Sequence, residues 1–316
     1  MKKFTLRLLL FCLAPLPLLY FLQHVIDTGL KRSRNFFYAE WSDLYHGKIN
    51  ADLIVCGTSR AWVQISPRIL DSSLNINSYN LGMDATPFYL QFERLKLYLR
   101  YNRKPKYILQ EVGYTSTLVR TKELPHPQQY LPYLSDTTIW RVTQNTDEPF
   151  SQEDRYFPLY KYNNELPVVK EGIMSYLGRG VKSEKYKGYM GMEKVWDSSF
   201  YQFRQANPKG KVFPVDPQAV ALFREFLDYC KTNDIKVFMV YPPAFIESLY
   251  ATINREEIEQ VYKRFSAEYN VPFLNYMYDS LNYSRSNFYN SLHLNKRGSE
   301  IFSAKLATDL RPYMTK

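Results

Sequence analysis

The segment 52–57 has the sequence Asp-Leu-Ile-Val-Cys-Gly, with four apolar residues in succession. Such a run is typical of a β-strand that is buried on both faces. Four further segments also resemble strands, and helical patterns with a period near 3.6 lie between them. The strand-like segments are 76–81, 106–112, 235–241 and 271–274, and helices are predicted to begin at Pro87 and Pro217 and to cover 256–269 and 298–310. This alternation predicts an α/β fold, namely a three-layer α/β/α domain with a parallel, flavodoxin-like sheet.

The first 34 residues predict a membrane anchor. Basic residues at 2, 3 and 7 precede a run from 8 to 22 that carries no charge. With its neighbours the stretch approaches the roughly 20 residues that span a bilayer. No small-residue cleavage site follows it, so an uncleaved N-terminal transmembrane helix is favoured over a cleaved signal peptide. We therefore expect the protein at the cell membrane, with an extracytoplasmic globular part.

The globular part is predicted to cover 35–316, after an anchor and juxtamembrane segment at 1–34. Between about 116 and 215 the regular pattern breaks down, and Tyr, Pro, Lys and Gly are frequent. A structureless loop of that length is improbable in a compact domain. We therefore expect an aromatic-rich insertion with short helices of its own, either a lid or a subdomain.

Charge and motifs exclude several classes of function. The net charge is +10, but it is spread along the chain, and its densest stretch, 94–106, resembles the solvated face of a helix. No nucleic-acid-binding motif accompanies it, so no nucleic-acid partner is expected. The chain has no metal-ligand spacing, phosphate loop or dinucleotide fingerprint, and no cofactor is expected. The 28 tyrosines leave open a surface that stacks on sugars or lies near a membrane.

Ser59 and His293 are the candidate catalytic residues. Ser59 follows the first predicted strand, and His293 lies in a polar loop before the last predicted helix. A serine hydroxyl becomes a good nucleophile when a nearby base takes its proton. A fold that joins these two segments would therefore build an acyl-transfer site. The alternatives are that Ser59 only caps a helix and that His293 is an ordinary surface histidine.

Several groups are candidates for orienting the imidazole and for binding an oxyanion. Asn290, three residues before His293, could accept a hydrogen bond from the ring, as an amide does in Cys-His-Asn sites. Glu111 and Asp279 are the acidic candidates for orienting the imidazole, although acids at strand ends more often cap helices or form ion pairs. The backbone N–H groups of Ser59 and Gly82 are the candidate oxyanion donors.

Three short motifs together resemble the SGNH/GDSL hydrolase superfamily. Gly57-Thr58-Ser59-Arg60, Asn80-Leu81-Gly82 and the stretch 290–295 (Asn-Ser-Leu-His-Leu-Asn) are similar to its first, second and last sequence blocks. More narrowly, the chain resembles membrane-anchored SGNH-like proteins of polysaccharide O-acetylation and teichoic-acid D-alanylation, over roughly 51–115 and 215–312. The resemblance implies Ser59 as nucleophile, His293 as base and Gly82 as oxyanion donor. Two positions depart from the family: Asn290 replaces its usual aspartate, and 110–114 lacks its oxyanion-hole asparagine.

The sequence leaves three functions open. The first is a membrane-anchored serine esterase or O-acyltransferase that acts on acyl esters, of which acetyl is favoured, of a cell-envelope polysaccharide. A multi-spanning membrane-bound O-acyltransferase would be a possible partner. The second is a catalytically inactive SGNH-fold protein that binds glycan or scaffolds such a partner, which the departure at Asn290 favours. A lipid esterase is a third, weaker reading, because the crevice segments show no apolar channel.

Overall fold

The computed structural model describes residues 2–114 and 117–314. In these ranges the strands are β1 (Leu53–Cys56), β2 (Ser78–Asn80), β3 (Tyr107–Glu111), β4 (Lys236–Tyr241) and β5 (Phe273–Asn275). The α-helices are α1 (Lys2–Leu13), α2 (Leu16–Arg32), α3 (Ala39–Tyr45), α4 (Ser59–Gln64), α5 (Pro67–Leu74), α6 (Phe88–Tyr101), α7 (Thr137–Gln144), α8 (Gln152–Tyr156), α9 (Leu166–Tyr176), α10 (Ser199–Ala206), α11 (Pro217–Thr232), α12 (Ile246–Tyr250), α13 (Arg255–Tyr269) and α14 (Lys296–Leu310). Short 3-10 helices cover Pro127–Tyr133, Tyr160–Tyr162, Ser280–Tyr283, Arg285–Asn287 and Arg311–Tyr313.

The five strands form one parallel sheet in the order β2-β1-β3-β4-β5. This order confirms the predicted α/β fold with a parallel sheet. In the register, Val55 of β1 pairs with Asn80 of β2 and with Leu109 of β3. The carboxyl ends of these three strands therefore meet at one edge, where parallel α/β sheets usually bind ligands.

Alternating strand residues contribute to two apolar layers. Leu53 and Val55 of β1 belong to a buried cluster with Leu70 of α5 and with Phe302 and Leu306 of α14. Ile54, which points to the opposite face of the sheet, is also fully buried. On that opposite side α11 packs on β4 and on α6, and α13 packs on β5. Aromatic rings fill this second layer, including Phe88, Phe92, Phe223, Phe226 and Phe265.

A glycine makes the turn after β1 possible. Gly57 has φ +151, a conformation that L side chains rarely adopt. A Cβ placed there would lie 2.5 Å from Cβ of Glu111 and 2.7 Å from Cβ of Ala61. The missing side chain lets the turn lie directly on the end of β3. This contact sets the position of the next residues, Thr58 and Ser59.

The chain divides into two compact units, one formed by 1–46 and 122–184 and the other by 47–121 and 185–316. The second unit holds the sheet. In the first, α2 packs against α9 so closely that a Cβ on Gly29 would lie 1.7 Å from the carbonyl oxygen of Gly172. The ammonium of Lys161 pairs with Asp27 at 2.9 Å in the same unit. The predicted boundaries at 34, 116 and 215 do not coincide with this division and stay predictions.

The N-terminal apolar stretch forms two helices, α1 and α2, instead of the single predicted transmembrane helix. α1 ends at Leu13, and α2 begins at Leu16 after Pro15. Proline lacks the backbone N–H and disfavours helical geometry in the residue before it, which explains the break near Ala14. Of the helices in the described ranges, none has the length and apolar character needed to cross a membrane.

Candidate active site

The strand-turn-helix connection after β1 presents Ser59. Thr58 is the N-cap of α4, and its side-chain oxygen accepts the N–H of Arg60 at 3.3 Å. Ser59 is the first residue of α4 and is partly exposed. No protein acceptor takes the Ser59 N–H within the described ranges, so this donor is available to a ligand. The predicted role of Ser59 as a nucleophile is compatible with this position and stays a prediction.

A tight turn before α14 presents His293. The N–H of Tyr289 donates to the carbonyl oxygen of His293 at 3.1 Å. Two groups from other elements fix the turn: the N–H of Phe245 donates to the carbonyl of Ser291 at 2.8 Å, and Nε2 of Gln64 donates to that of Leu292 at 2.7 Å. Because Gln64 belongs to α4, the helix that begins at Ser59 also holds the histidine turn in place.

Ser59, His293 and Asn290 form a hydrogen-bonded chain. The Oγ of Ser59 lies 2.8 Å from Nε2 of His293, and Nδ1 of His293 lies 2.9 Å from Oδ1 of Asn290. The same Oδ1 accepts the backbone N–H groups of Leu292 and His293, each at 3.0 Å. An atom that accepts two N–H donors must be the carbonyl oxygen of the amide, so Nδ1 of His293 must carry a proton.

This tautomer prepares His293 to act as a base. When a neutral imidazole carries its proton on Nδ1, Nε2 has the lone pair. Nε2 then accepts the hydroxyl proton of Ser59, which is the direction of transfer that activates a serine. Asn290 therefore orients the ring as the aspartate of a Ser-His-Asp triad does, but it brings no negative charge.

The surroundings of His293 disfavour its charged form. Burial, together with the smaller effect of the positive charge of Arg60, lowers the pKa of His293 from 6.5 to about 3, and Asp197 opposes both effects. The imidazole is thus neutral at every physiological pH. A neutral ring can accept a proton, but a base with such a low pKa is weak. His293 therefore has the geometry of a triad histidine but a low basicity.

A buried ionic network holds the two residues that flank Ser59. Oε2 of Glu111 accepts both the backbone N–H and the hydroxyl of Thr58, each at 2.9 Å. Its Oε1 lies 3.9 Å from Nη1 of Arg60. The Arg60 guanidinium also donates to the carbonyl of Pro242 at 2.6 Å and lies 4.9 Å from the ring centroid of Tyr241. Glu111 therefore fixes the turn that carries Ser59, and its carboxylate is engaged by Thr58 and Arg60.

Asp279, the other acidic candidate, also lies outside the histidine chain. Its carboxylate caps the 3-10 helix at Leu281 and forms an ion pair with Lys305. Both observations favour the helix-cap reading of this residue. No group of three or more His, Cys, Asp or Glu side chains in the described part of the chain is arranged to hold a metal ion.

The N–H of Gly82 already has an acceptor. It donates to Oδ1 of Asn80 at 2.8 Å. Nδ2 of Asn80 in turn donates to the carbonyls of Ala61 and Ile65, each at 2.8 Å, which fixes the direction of Oδ1. An oxyanion at Gly82 would have to compete with this acceptor. The predicted oxyanion role of Gly82 stays a prediction, and the Ser59 N–H is the better placed of the two donors.

Sequence reasoning missed Arg60, Tyr289 and Asp197. Arg60 was part of a recognised motif, but its buried position next to Glu111 depends on the pairing of β1 with β3. Tyr289 lies four residues before His293, and its ring is nearly parallel to the imidazole, with centroids 5.4 Å apart. Asp197 lies in the irregular part of the predicted insertion, where no periodic pattern marks a residue as close to the site.

Replacing Asn290 by aspartate is expected to raise the rate at which a fluorophosphonate labels Ser59 by about tenfold to a hundredfold at pH 7. A carboxylate at Nδ1 stabilises the imidazolium, so it raises the pKa of His293 and makes the ring a stronger base. The rate of the unmodified protein should not fall between pH 7 and pH 5, because its His293 has a pKa of about 3. The variant's rate should fall in that range as its ring becomes protonated.

The measurement is the second-order rate constant for fluorophosphonate labelling from pH 5 to pH 8. Asn287→Asp is the matched control, because Asn287 is a buried asparagine of the same loop whose amide donates to the carbonyl of Leu281 and not to the ring. An unchanged rate in the Asn290 variant, or an equal change in both variants, would contradict the expectation.

Comparison with protein families and with curated proteins finds no match. Comparison with solved structures finds a GDSL-like lipase from Bacteroides thetaiotaomicron, with a TM-score of 0.40, 10% identity and coverage of 83% of this chain and 88% of that one. It also finds a protein from Desulfitobacterium hafniense assigned to the G-D-S-L family of lipolytic proteins, with a TM-score of 0.41, 10% identity and coverage of 81% and 97%. A third, from Bacteroides fragilis and assigned as an acylhydrolase, has a TM-score of 0.39, 12% identity and coverage of 82% and 87%. Similarity this low does not bear on the chemistry, which rests on the site itself.

Proposed function

We propose that this protein is a serine esterase or O-acyltransferase with Ser59 as nucleophile and His293 as base. The observation that carries the proposal is the 2.8 Å hydrogen bond between Oγ of Ser59 and Nε2 of His293, in the tautomer that accepts the hydroxyl proton. Asn290 supports it by orienting the ring through Nδ1.

The reaction has two acyl-transfer steps. Oγ of Ser59 bonds to the ester carbonyl carbon while its proton moves to Nε2 of His293, and the N–H of Ser59 stabilises the oxyanion that forms. The bond from the carbonyl carbon to the leaving alcohol then breaks, and the alcohol takes the proton from Nε2. Water or a sugar hydroxyl attacks the acyl-enzyme in the same way and releases Ser59. Hydrolase and transferase differ only in which acceptor reaches the ester.

The favoured substrate is a small acyl ester, such as acetyl, of a cell-envelope polysaccharide. The resemblance of the three site motifs to SGNH-like proteins of polysaccharide modification supports this choice. A multi-spanning O-acyltransferase remains the proposed partner. We further propose that the N-terminal residues attach the protein to a membrane and that the acyl-transfer site is extracytoplasmic. The support for attachment is the exposure of large apolar side chains on α1 and α2, including Phe4, Phe11, Leu18 and Phe21.

The decisive experiment is fluorophosphonate labelling of the full chain, followed by mapping of the modified peptide. We expect a single adduct on Ser59 and no labelling of Ser59→Ala. Hydrolysis of p-nitrophenyl acetate should then exceed hydrolysis of the long-chain decanoate, and an acetylated polysaccharide should lose acetate. An adduct elsewhere would overturn the assignment of the nucleophile.

A second candidate is a binding protein that keeps the fold without the chemistry. The engagement of the Gly82 N–H by Asn80 favours it, because only one of the two predicted oxyanion donors is then available. This candidate predicts that a well-folded full chain is not labelled at all, and that Asn290→Asp gains no activity.

A further inference from the structure

We propose that Tyr289 is a positioning residue of this site, whose flat ring holds the plane of the His293 imidazole so that Nε2 stays directed at Ser59. The inference rests on the proposed acyl-transfer function and extends it. Asn290 holds one edge of the imidazole through Nδ1, but its amide carries no charge. Tyr289 holds the face of the same ring.

The backbone of the loop brings Tyr289 and His293 to the same side. Phe288 and Leu294 form an antiparallel bridge, and both side chains are fully buried in the apolar cluster. The N–H of Tyr289 donates to the carbonyl of His293 at 3.1 Å, so the two arms of the loop run side by side. Successive side chains of an extended segment point to opposite sides. Tyr289 and His293, each one residue inside the bridge, therefore share the side opposite to the buried pair.

The two rings are stacked. Their planes are parallel within 9°, and their centroids lie 5.4 Å apart, inside the range of favourable aromatic pairs. Tyr289 is only 9% exposed, so its ring has little space to move away from the imidazole. Its main chain is held as well, because its carbonyl accepts the N–H of Asp197 at 2.9 Å. The tyrosine ring is thus a fixed surface against which the imidazole lies.

The imidazole needs such a surface because Asn290 is neutral. The outer torsion of a histidine side chain is broad and roughly two-fold, so contacts decide the orientation of the ring. A carboxylate at Nδ1 would form a charge-assisted hydrogen bond, about twice as strong as the bond to an amide. With the weaker bond, more of the restraint falls on the stacked tyrosine. A ring that turns about this torsion moves Nε2 out of its 2.8 Å contact with Oγ of Ser59.

The first test compares Tyr289→Leu with Tyr289→Phe in the full chain. Leucine removes the flat ring, and we expect it to lower the second-order rate constant of fluorophosphonate labelling at pH 7 by about threefold to tenfold, the value of one aromatic pair. Phenylalanine keeps the flat ring and should restore the rate to within about twofold. Tyr283→Leu is the matched control, because Tyr283 is a 59% exposed tyrosine of a nearby 3-10 helix. Its rate should equal that of the unmodified protein, and thermal unfolding shows whether each variant is folded.

The second test is a double-mutant cycle between positions 289 and 290. In the Asn290→Asp background the carboxylate holds the imidazole by itself, so Tyr289→Leu should cost less than about twofold. A change that only loosens the loop would cost the same factor in both backgrounds. The cycle therefore separates the orientation of the imidazole from general damage to the loop.

The third test needs no reaction at Ser59. It is nitrogen NMR on the full chain with isotope-labelled histidine, in which the His293 signals are identified by their loss in His293→Gln. A fixed ring with its proton on Nδ1 gives two well-separated nitrogen signals. We expect Tyr289→Leu to bring these signals closer together and to speed the exchange of the Nδ1 proton with water. Tyr289→Phe should leave both observations as they are in the unmodified protein.

The inference is overturned if Tyr289→Leu leaves the His293 signals unchanged, if Tyr289→Phe loses as much as Tyr289→Leu, or if the loss of labelling is equal in both backgrounds at position 290. A protein that is never labelled, but whose His293 signals respond to leucine and not to phenylalanine, would refute the proposed function and support the role of Tyr289. A labelled protein whose rate does not respond to Tyr289→Leu would refute the role of Tyr289 alone.

Discussion

Replacing His293 by alanine is expected to lower the rate of Ser59 labelling by about 10²- to 10⁴-fold, the usual contribution of a general base. The imidazole Nε2 at 2.8 Å is the acceptor of the Ser59 hydroxyl proton, and the described part of the chain offers that hydroxyl no other basic group. The measurement is the second-order rate constant for fluorophosphonate labelling at pH 7. Thermal unfolding of each variant shows whether it is folded.

His46→Ala is the control for this loss. His46 is exposed, and its Nδ1 is hydrogen-bonded to the carbonyl of Ser42. We expect its labelling rate to equal that of the unmodified protein. Equal rates in His293→Ala and the unmodified protein would show that Ser59, if it reacts at all, does so without the base assigned here.

Replacing Glu111 by alanine is expected to lower the free energy of unfolding of the sheet-bearing unit by about 3–5 kcal/mol, the cost of breaking a buried ionic network by removing one partner. The change leaves the Thr58 N–H and hydroxyl without their acceptor. It also removes the anionic partner of Arg60, a residue that is only 4% exposed. Because these residues flank Ser59, labelling should fall as well.

Asp279→Ala provides the comparison, since Asp279 is also a buried acid but pairs with the half-exposed Lys305. We expect it to cost only about 1 kcal/mol, the typical value of a helix cap, and to leave labelling unchanged. Urea unfolding followed by tryptophan fluorescence compares the two variants. If Glu111→Ala is no less stable than Asp279→Ala, the network does not stabilise the turn that carries Ser59.

The strands could be predicted because their patterns are local. Each of the five lies within a few residues of its predicted position, since an apolar run between turn residues is typical of a buried strand whatever its neighbours are. The prediction of one continuous N-terminal helix was wrong, because the apolar run contains a proline. Pro15 interrupts the helix where its missing N–H and its ring disfavour the helical ladder.

The site could be predicted in part for the same reason. Ser59 and His293 are marked by their places after a strand and before a helix, and the structure brings them together across 234 positions of sequence. Asn290 is marked by its spacing from His293, which lets one side chain reach both the ring and the backbone of the turn. The different roles of Glu111 and Asp279 could not be told apart from the sequence, because both are acids near the ends of predicted strands.

The sequence alone was enough to predict the parallel α/β fold and to single out Ser59, His293 and Asn290 as candidate site residues. Tertiary structure alone decided what each neighbouring polar group does. Glu111 contacts Thr58 because the register of β1 against β3 places it there. Asn80 accepts the Gly82 N–H because the carbonyls of Ala61 and Ile65 hold its amide. Periodic patterns report local structure, whereas hydrogen-bond partners and the electrostatics of His293 depend on contacts between distant segments, which only packing fixes.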